Sequence, residues 1–310
     1  MPSEFEIIRK YFERPARRAV LGVGDDAALL RPATGCELVV STDLLLEGTH
    51  FRADAEPRTL GHKALAVNLS DMAAMGASPR WATLALAVPS ADEAWLAAFA
   101  AGFFALAERF GVELVGGDTT CGPRAICVAI LGEVPAGQAL LRAGARPGDA
   151  IWVSGELGAA ALALARPEIT GAQKRLHEPE PRVALGERLR GLASSAIDVS
   201  DGFAQDLGHI LQRSSCGALV EYERLPKSAE FSRLADPALE RRCVLAGGDD
   251  YELVFTAPPA AEGAIARLGR EIGLALARVG EVRAGAPELA VLDASGAPIP
   301  AGRGYDHFAP

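Results

Sequence analysis

The chain has 310 residues, of which 49% are hydrophobic and 23% are charged. This composition is typical of a globular protein and excludes general disorder, and the length predicts one large or two medium domains. The formal net charge of −9 at pH 7 argues against a broad nucleic-acid-binding surface. The negative charge remains compatible with phosphate ligands if metal ions lie between the phosphates and the acidic side chains.

The cysteines and the apolar stretches bear on the cellular compartment. The five cysteines form no Cys-x-x-Cys pair, which argues against a zinc site or a disulfide framework and favours a reducing cytoplasm. No apolar signal segment is evident at the N-terminus. The most apolar stretch, 82–110, is interrupted by Pro89, Asp92 and Glu93, so we expect no membrane span and a cytoplasmic protein.

The N-terminal half mixes strand and helix patterns. Ser3 and Glu6 predict a capping box at the start of a short amphipathic helix. The first strand is expected to deliver Thr42 and Asp43 at its end. Hydrophobic periodicity predicts strands over 37–41, 82–88, 113–115 and 125–134, and helices over 59–75 and 91–110.

A glycine-rich segment without periodicity, 137–149, marks the predicted domain boundary. The predicted domains are therefore 1–136 and 149–310. The second half again mixes both element types without a regular βαβ alternation, so the predicted class is α+β or α/β. Its predicted strands are 150–154, 196–199, 218–221, 251–256 and 288–292, and its predicted helices are 157–165, 181–192, 202–213 and 260–272.

Aspartates recur beside small residues or after apolar runs. Any one such cluster is typical of a turn or a helix cap, and Asp201 fits a cap of the helix over 202–213. Together they predict oxygen ligands for several Mg²⁺ ions, which take one or two carboxylates each plus phosphate oxygens. The clusters are Gly24-Asp25-Asp26, Ser41-Thr42-Asp43, Asn68-Leu69-Ser70-Asp71, Gly116-Gly117-Asp118, Asp198-Val199-Ser200-Asp201-Gly202 and Gly247-Gly248-Asp249-Asp250.

Asp71 is the most informative of these acids, because it falls inside a predicted helix whose neighbours are apolar or small. A carboxylate in such surroundings is costly unless it is paired, hydrogen-bonded or bound to metal. No Walker P-loop, protein-kinase motif set, EF-hand loop or zinc-ligand spacing occurs in the sequence. The segment Gly155-Glu156-Leu157-Gly158 is too weak a pattern to predict a phosphate-binding loop.

Several of these blocks together resemble the thiamine-monophosphate kinase family. The resemblance keeps its order from Glu4 to the C-terminus, and its most specific parts are the long block over 63–77 and the closing Gly304-Tyr305-Asp306-His307-Phe308. The family belongs to the superfamily of aminoimidazole ribonucleotide synthetase and selenophosphate synthetase. The resemblance implies two α/β domains, a homodimer whose N-terminal domains pair their sheets, and ATP-dependent conversion of thiamine monophosphate to thiamine diphosphate.

The resemblance also implies roles for individual residues. The implied magnesium ligands are Asp26, Ser41, Thr42, Asp43, Asp71, Asp118, Asp198 and Asp201. The implied ATP contacts are Gly117, Asp118, Arg142 and Ser200, and the implied substrate contacts are His50 and Asp249. The sequence departs from the family at Asp249, where glutamate is common, and at Gly302, where an aromatic residue often packs on the substrate.

The acceptor in this reaction is itself a phosphate, whose second pKa near 6 leaves it mostly ionised at pH 7. We therefore expect no catalytic base or nucleophile, and direct in-line transfer assisted by several magnesium ions. The alternatives are another ATP-dependent synthetase of the same superfamily, a metal-dependent phosphohydrolase and a non-catalytic metal-binding scaffold. The first cysteine is Cys36, and the lack of an earlier reactive thiol argues against selenophosphate synthesis.

Overall fold

The computed structural model describes residues 3–308. Contacts divide the chain into two compact units. The first unit contains the residues up to Met72 together with Ala77–Gly137, and the second contains Ala73–Gly76 together with the residues from Gln138 onward. The division into domains 1–136 and 149–310 stays a prediction.

The first unit is built on a mixed sheet with the strand order β1-β4-β2-β3. The β1–β4 and β2–β4 pairs are antiparallel, and the β2–β3 pair is parallel. The register places Asp43 opposite Val128 and Gly117 opposite Leu84. The strands are β1 (Cys36–Leu46), β2 (Ser78–Val88), β3 (Glu113–Cys121) and β4 (Ala125–Pro135).

Helices α1 (Glu4–Ile7), α2 (Pro57–Ala74) and α3 (Glu93–Phe110) accompany this sheet, and Ile8–Phe12 forms a π-helical turn after α1. Glycines let these elements approach closely. A Cβ on Gly102 of α3 would lie 1.8 Å from the carbonyl oxygen of Arg58, and a Cβ on Gly132 of β4 would lie 2.7 Å from Sδ of Met72. A larger residue at Gly132 would therefore push α2 away from the sheet.

The second unit contains a mixed sheet with the strand order β11-β10-β7-β9-β5-β8-β6. Its core is apolar and includes Ile151, Phe203, Leu207 and Val254, all fully or almost fully buried. The strands are β5 (Ala150–Ser154), β6 (Ser195–Asp198), β7 (Gly217–Glu221), β8 (Leu253–Ala257), β9 (Leu276–Arg283), β10 (Leu289–Leu292) and β11 (Pro298–Ile299). The helices are α4 (Ala159–Ala165), α5 (Thr170–His177), α6 (Val183–Leu189), α7 (Phe203–Ser214), α8 (Pro237–Ala246) and α9 (Glu262–Ile272), with short 3₁₀ turns at Tyr222–Arg224, Ala229–Arg233 and Pro259–Ala261.

Most predicted elements are confirmed, including the capping box between Ser3 and Glu6. Helix α3 matches the predicted helix over 91–110 and is bounded by local caps, since the Asp92 side chain accepts N–H bonds from Ala94 and Trp95 and Gly111 adopts a left-handed φ of 65°. Helices α5 and α8 and strand β9 lie in segments for which no element was predicted. Within residues 3–308, no helix combines the length and the apolarity that crossing a bilayer requires.

Candidate active site

Strand β1 carries Ser41, Thr42 and Asp43 in its interior. The prediction that the strand ends at Ser41 is wrong, because Leu44–Leu46 continue it and remain paired with β4. Consecutive strand residues point to opposite faces, so Ser41 and Asp43 share one face and Thr42 lies on the other. Their exposure agrees with this, since Ser41 and Asp43 are half-buried and Thr42 is exposed. The Thr42 side chain is thus separated from its two neighbours.

Asp71 lies on α2, as predicted, and contacts β1. Its Oδ2 accepts a hydrogen bond from Oγ of Ser41 at 2.5 Å. Hydrogen bonds between a hydroxyl and a carboxylate at this distance belong to the strong, charge-assisted kind. The structure therefore brings two of the predicted magnesium ligands into direct contact within the first unit.

Three other predicted site residues, Asp26, Gly117 and Asp118, line one cavity of about 770 Å³ in the first unit. Asp26 comes from the loop that begins at Gly24, and its N–H donates to Oδ1 of Asp25 at 2.9 Å. The N-terminal helical segment lines the same cavity through residues such as Arg9. Asp26 and Asp118 therefore line a common space large enough for a phosphate-bearing ligand.

The prediction that the strand before Gly116 ends at Val115 is also wrong, because β3 continues to Cys121 in parallel with β2. Gly117 has a φ of 149°, and a Cβ there would lie 1.8 Å from the carbonyl oxygen of Leu84. Glycine is thus required where β2 and β3 approach each other. The predicted contact of Gly117 with ATP stays a prediction.

His50 lies in the turn after β1 and is half-buried. Its Nδ1 accepts a hydrogen bond from the backbone N–H of Leu46 at 3.0 Å. A ring nitrogen that accepts cannot carry the proton, so the neutral imidazole presents Nε2–H as its donor. The predicted substrate contact would therefore use Nε2 as a hydrogen-bond donor.

In the second unit, the predicted ligands Asp198 and Asp201 flank a short loop between β6 and α7. The backbone N–H groups of Ser200, Asp201 and Gly202 all donate to Oδ2 of Asp206, at 3.1, 3.1 and 3.0 Å. The N-cap residue of α7 is Gly202, so Asp201 is not the cap of this helix. Burial, followed by the nearby charges of Asp198 and Asp201, raises the pKa of Asp206 to about 7.

The loop that carries Asp249 lies beside this one. The Asp249 N–H donates to the carbonyl oxygen of Ser200 at 2.9 Å, and the Tyr251 N–H donates to that of Val199 at 2.8 Å. Asp249 and Tyr251 have positive φ values of 65° and 51°, which is uncommon for residues with side chains. The hydroxyl of Tyr251 donates to Oδ1 of Asp249 at 2.9 Å. Burial raises the pKa of Asp201, and the Asp249 carboxylate acts in the same direction.

Asp250 and Glu252 are buried acids whose roles the sequence did not reveal. Oδ2 of Asp250 accepts the Gly158 N–H at 2.8 Å, and burial raises the pKa of Asp250 well above its usual range. Oε2 of Glu252 accepts hydrogen bonds from Oγ of Ser154 at 2.6 Å and from Nε of Arg182 at 2.7 Å. These two acids anchor the chain on either side of Tyr251.

The Asp250 contact also explains why the glycine segment 155–158 is not a phosphate-binding loop. The backbone N–H of Gly158, just before α4, is already occupied by a carboxylate of the same chain. This contact agrees with the sequence analysis, which predicted no phosphate-binding loop at this position.

Asp206 was also missed, although its position carried a signal. Phe203, Asp206, Leu207 and Ile210 lie on the buried face of α7, at the spacing that marks one side of a helix. An acid within such an apolar stripe calls for a specific partner. Here the partners are the three N–H groups of the preceding loop.

Two other residues from the sequence analysis lie in exposed parts of the second unit. Arg142 is exposed, and its carbonyl oxygen accepts a hydrogen bond from Oγ of Ser214 at 3.3 Å. Gly302 is exposed and has a φ of 77°. A Cβ at this position would lie 3.2 Å from Cβ of Ala246. The predicted contact of Arg142 with ATP stays a prediction.

The donor atoms suit magnesium. Mg²⁺ prefers hard oxygen ligands and commonly combines one or two carboxylates with waters and phosphate oxygens. The pair Ser41 and Asp71 and the cavity shared by Asp26 and Asp118 offer donors of this kind. Among the residues described, no group of three or more His, Cys, Asp or Glu side chains could hold a metal ion.

Comparison with known proteins finds similarity along almost the whole chain. Residues 24–134 match the AIR synthase related protein, N-terminal domain, and residues 146–291 match the corresponding C-terminal domain. The chain is 44% identical to thiamine-monophosphate kinase of Escherichia coli K12, over 99% of this chain and 98% of that protein.

Solved structures agree with the sequence comparison. The thiamine-monophosphate kinase of Stenotrophomonas maltophilia K279a superposes with a TM-score of 0.85 at 45% identity, covering 92% of this chain and 94% of that one. AaThiL complexed with AMPPCP and TMP superposes with a TM-score of 0.77 at 29% identity, covering 90% and 89%. The predicted two-domain α/β fold is thereby confirmed, and the chain belongs to the thiamine-monophosphate kinase family.

Proposed function

We propose that this chain transfers the γ-phosphoryl group of ATP to thiamine monophosphate and so forms thiamine diphosphate, with the help of several magnesium ions. The observation that supports this best is the 44% identity with the Escherichia coli kinase along nearly the full length of both chains. The AaThiL structure, which is similar over 90% of this chain, contains AMPPCP and TMP.

The chemistry of the acceptor explains the surplus of acids and the lack of a base. The phosphate of thiamine monophosphate is mostly ionised at pH 7, so its oxygen is already a nucleophile. The main obstacle is repulsion between two anions, about 4 kcal/mol for each pair of unit charges at 4 Å and an effective dielectric constant of about 20. Bound magnesium would supply the positive charge that offsets this repulsion and orients the phosphates.

Each unit contributes residues with proposed roles. In the first unit, Asp26 and Asp118 would hold metal beside their common cavity, and Asp71 would do so with Ser41. Asp43, Asp198 and Asp201 would complete the magnesium set. Thr42 would join it through its backbone, because its side chain lies on the opposite face of β1 from Ser41 and Asp43. Gly117, Asp118, Arg142 and Ser200 would contact ATP. His50, through its Nε2–H, and Asp249 would contact the thiamine substrate.

Product analysis tests this function directly. The protein is incubated with ATP, Mg²⁺ and thiamine monophosphate, and thiamine diphosphate is sought by mass spectrometry, with reactions lacking one component as controls. We expect product only in the complete mixture and none after chelation by EDTA. ATP hydrolysis that does not depend on thiamine monophosphate would instead identify a phosphohydrolase. Activity only with another acceptor would identify a different synthetase of the superfamily.

The stereochemistry at phosphorus tests the transfer step. A single in-line displacement inverts the configuration of a γ-phosphoryl group made chiral by isotopic labelling. We therefore expect inversion in the diphosphate product. Net retention would require two displacements and a phosphoenzyme, and it would contradict direct transfer.

We also propose that the chain forms a homodimer through the outer face of β1. Leu38, Val40 and Leu44 alternate along this face and are 44%, 61% and 49% exposed. A row of large aliphatic side chains on an edge strand is typical of a surface that a partner covers. A second copy is the occupant that the family resemblance implies.

A further inference from the structure

Asp206 combines two features that the proposed reaction does not explain. Its side chain belongs to α7 and is only 2% exposed. Yet its Oδ2 accepts three backbone N–H groups in succession, those of Ser200, Asp201 and Gly202. One buried carboxylate oxygen therefore fixes three consecutive peptide groups of a loop.

The carbonyl groups of the same loop accept hydrogen bonds from other segments of the second unit. The carbonyl oxygen of Ser200 accepts the Asp249 N–H, and that of Asp201 accepts the Tyr305 N–H, both at 2.9 Å. Gly248 packs so closely that a Cβ on it would lie 2.3 Å from the Ser200 carbonyl oxygen. The backbone of Ser200 and Asp201 is therefore fixed through both its N–H and its carbonyl groups.

The N-cap residue of α7 is Gly202, which has no side chain of its own to cap the helix. The N–H groups of Gly202 and of the two residues before it donate instead to the Asp206 carboxylate. A carboxylate is the strongest acceptor that a side chain offers to N–H groups. Asp206 thus accepts backbone N–H groups at the start of α7, as the side chain of a helix cap does, although Asp206 belongs to α7 itself.

We propose that Asp206 is a positioning residue for magnesium and nucleotide. Its carboxylate holds the Ser200–Gly202 backbone so that Asp198, Ser200 and Asp201 keep the spacing that the metal–ATP complex requires. The proposal rests on the proposed function. Asp206 is assigned a positioning role because its Oδ2 acts on the backbone that carries the proposed ligands.

The test compares Asp206→Ala and Asp206→Asn with the control Asp293→Asn. Asp293 is a suitable control because its Oδ1 also accepts two backbone N–H groups, from Ser295 and Ala297 at 2.9 and 3.0 Å, but in an exposed turn between β10 and β11. Amide hydrogen exchange is measured over residues 199–203. Mg²⁺ titrations of the kinase rate and calorimetric titrations with Mg–ATP are run in parallel.

We expect faster exchange at residues 200–202 in both Asp206 variants. The Mg²⁺ concentration that gives half-maximal rate should rise by about 10-fold or more in Asp206→Ala, as is usual when a residue that orients metal ligands is removed. The rise should be smaller in Asp206→Asn, because the amide oxygen can still accept hydrogen bonds. The Asp293→Asn control should match the wild type in both measurements.

Two results would overturn the proposal. The first is unchanged exchange at residues 200–202 in the variants. The second is faster exchange with unchanged Mg²⁺ dependence and unchanged Mg–ATP affinity, which would make Asp206 merely structural. If Asp206→Ala does not fold, Asp206→Asn alone decides. A wild-type protein that forms no thiamine diphosphate would refute the proposed function, whereas the exchange and calorimetric results would still decide the role of Asp206.

Discussion

Glu252 and Arg182 form a two-point ion pair inside the second unit. Nε of Arg182 donates to Oε2 of Glu252 at 2.7 Å, and the second guanidinium contact is to Oε1. Glu252 is fully buried, and Arg175 adds a third contact at 3.3 Å. A buried carboxylate is tolerated only when its oxygens are satisfied in this way. The pair fixes the start of β8 immediately after the strained turn at Asp249 and Tyr251.

Glu252→Gln should destabilise the protein strongly. The substitution leaves Arg182 buried without its carboxylate, and breaking a buried pair from one side costs about 3–5 kcal/mol. The free energy of unfolding from urea titrations measures the loss. Glu168→Gln is the control, because Glu168 pairs with Arg166 on the surface, where such pairs contribute about 1 kcal/mol or less. A loss below 1 kcal/mol for Glu252→Gln would contradict the assignment.

Asp71→Asn should abolish turnover while leaving the fold intact. The amide can still accept the Ser41 hydroxyl, but it lacks the charge that a divalent cation requires. Turnover and the thermal midpoint are measured side by side. Asp54→Asn is the matched control, since Asp54 is exposed and paired only with its neighbour Arg52. Turnover at the wild-type level in Asp71→Asn would remove this residue from the magnesium set.

Two adjacent glycines of β3 should respond very differently to alanine. In Gly117→Ala the new Cβ would lie 1.8 Å from the Leu84 carbonyl oxygen, whereas in Gly116→Ala the nearest atom is 3.8 Å away. We expect Gly117→Ala to lose about 2 kcal/mol or more, because β2 and β3 must separate or bend. Gly116→Ala should change stability by less than about 1 kcal/mol. Equal unfolding midpoints for the two variants would show that the close approach is absent in solution.

Val40→Asp should convert the proposed dimer into a monomer. The substitution places a charge in the middle of the apolar row on β1, where it would lose its hydration on association. Light scattering after size exclusion gives the mass. The control is Leu164→Asp, since Leu164 is 60% exposed and lies on α4 of the second unit. A wild-type mass of one chain would refute the dimer, and a Val40→Asp dimer would place the interface elsewhere.

The buried cysteines should resist alkylation in the native protein. Cys216 and Cys243 are each 2% exposed. Burial raises the pKa of the Cys243 thiol to about 11 and also raises that of Cys216, so little reactive thiolate exists at pH 8. Labelling with a maleimide and peptide mass spectrometry should modify exposed Cys121 first. Modification of Cys243 at the rate of Cys121 would contradict the buried position.

The sequence predicted most helix ends but underestimated the length of strands β1, β2 and β3, and the reason is physical. Helix α3 carries local end signals at Asp92 and Gly111, and such signals work without tertiary contacts. Strands β1 and β3 continue through polar residues, such as Asp43 and Asp118, that pairing with β4 and β2 holds in place. Pairing between distant strands is not visible in a local pattern.

The candidate site was predictable in its residue types but not in its geometry. The aspartate clusters and the position of Asp71 among apolar neighbours on a helix could be inferred from sequence. The opposite faces taken by Ser41 and Thr42 follow from the continuation of β1 through both residues, which its pairing with β4 shows. The role of Asp206 depends on a loop folding back over its own helix. Residues that act through backbone contacts leave little trace in composition or spacing.

The left-handed backbone at Gly302 makes the departure from the family hard to reverse. An aromatic side chain grafted onto this backbone would carry the strain of a positive φ, roughly 1–2 kcal/mol, and would begin 3.2 Å from Cβ of Ala246. An aromatic residue at position 302 thus requires the backbone around it to adopt another conformation first. Changes at neighbouring positions would have to precede the substitution. The backbone conformation of this short segment therefore limits which side chains it can accept at residue 302.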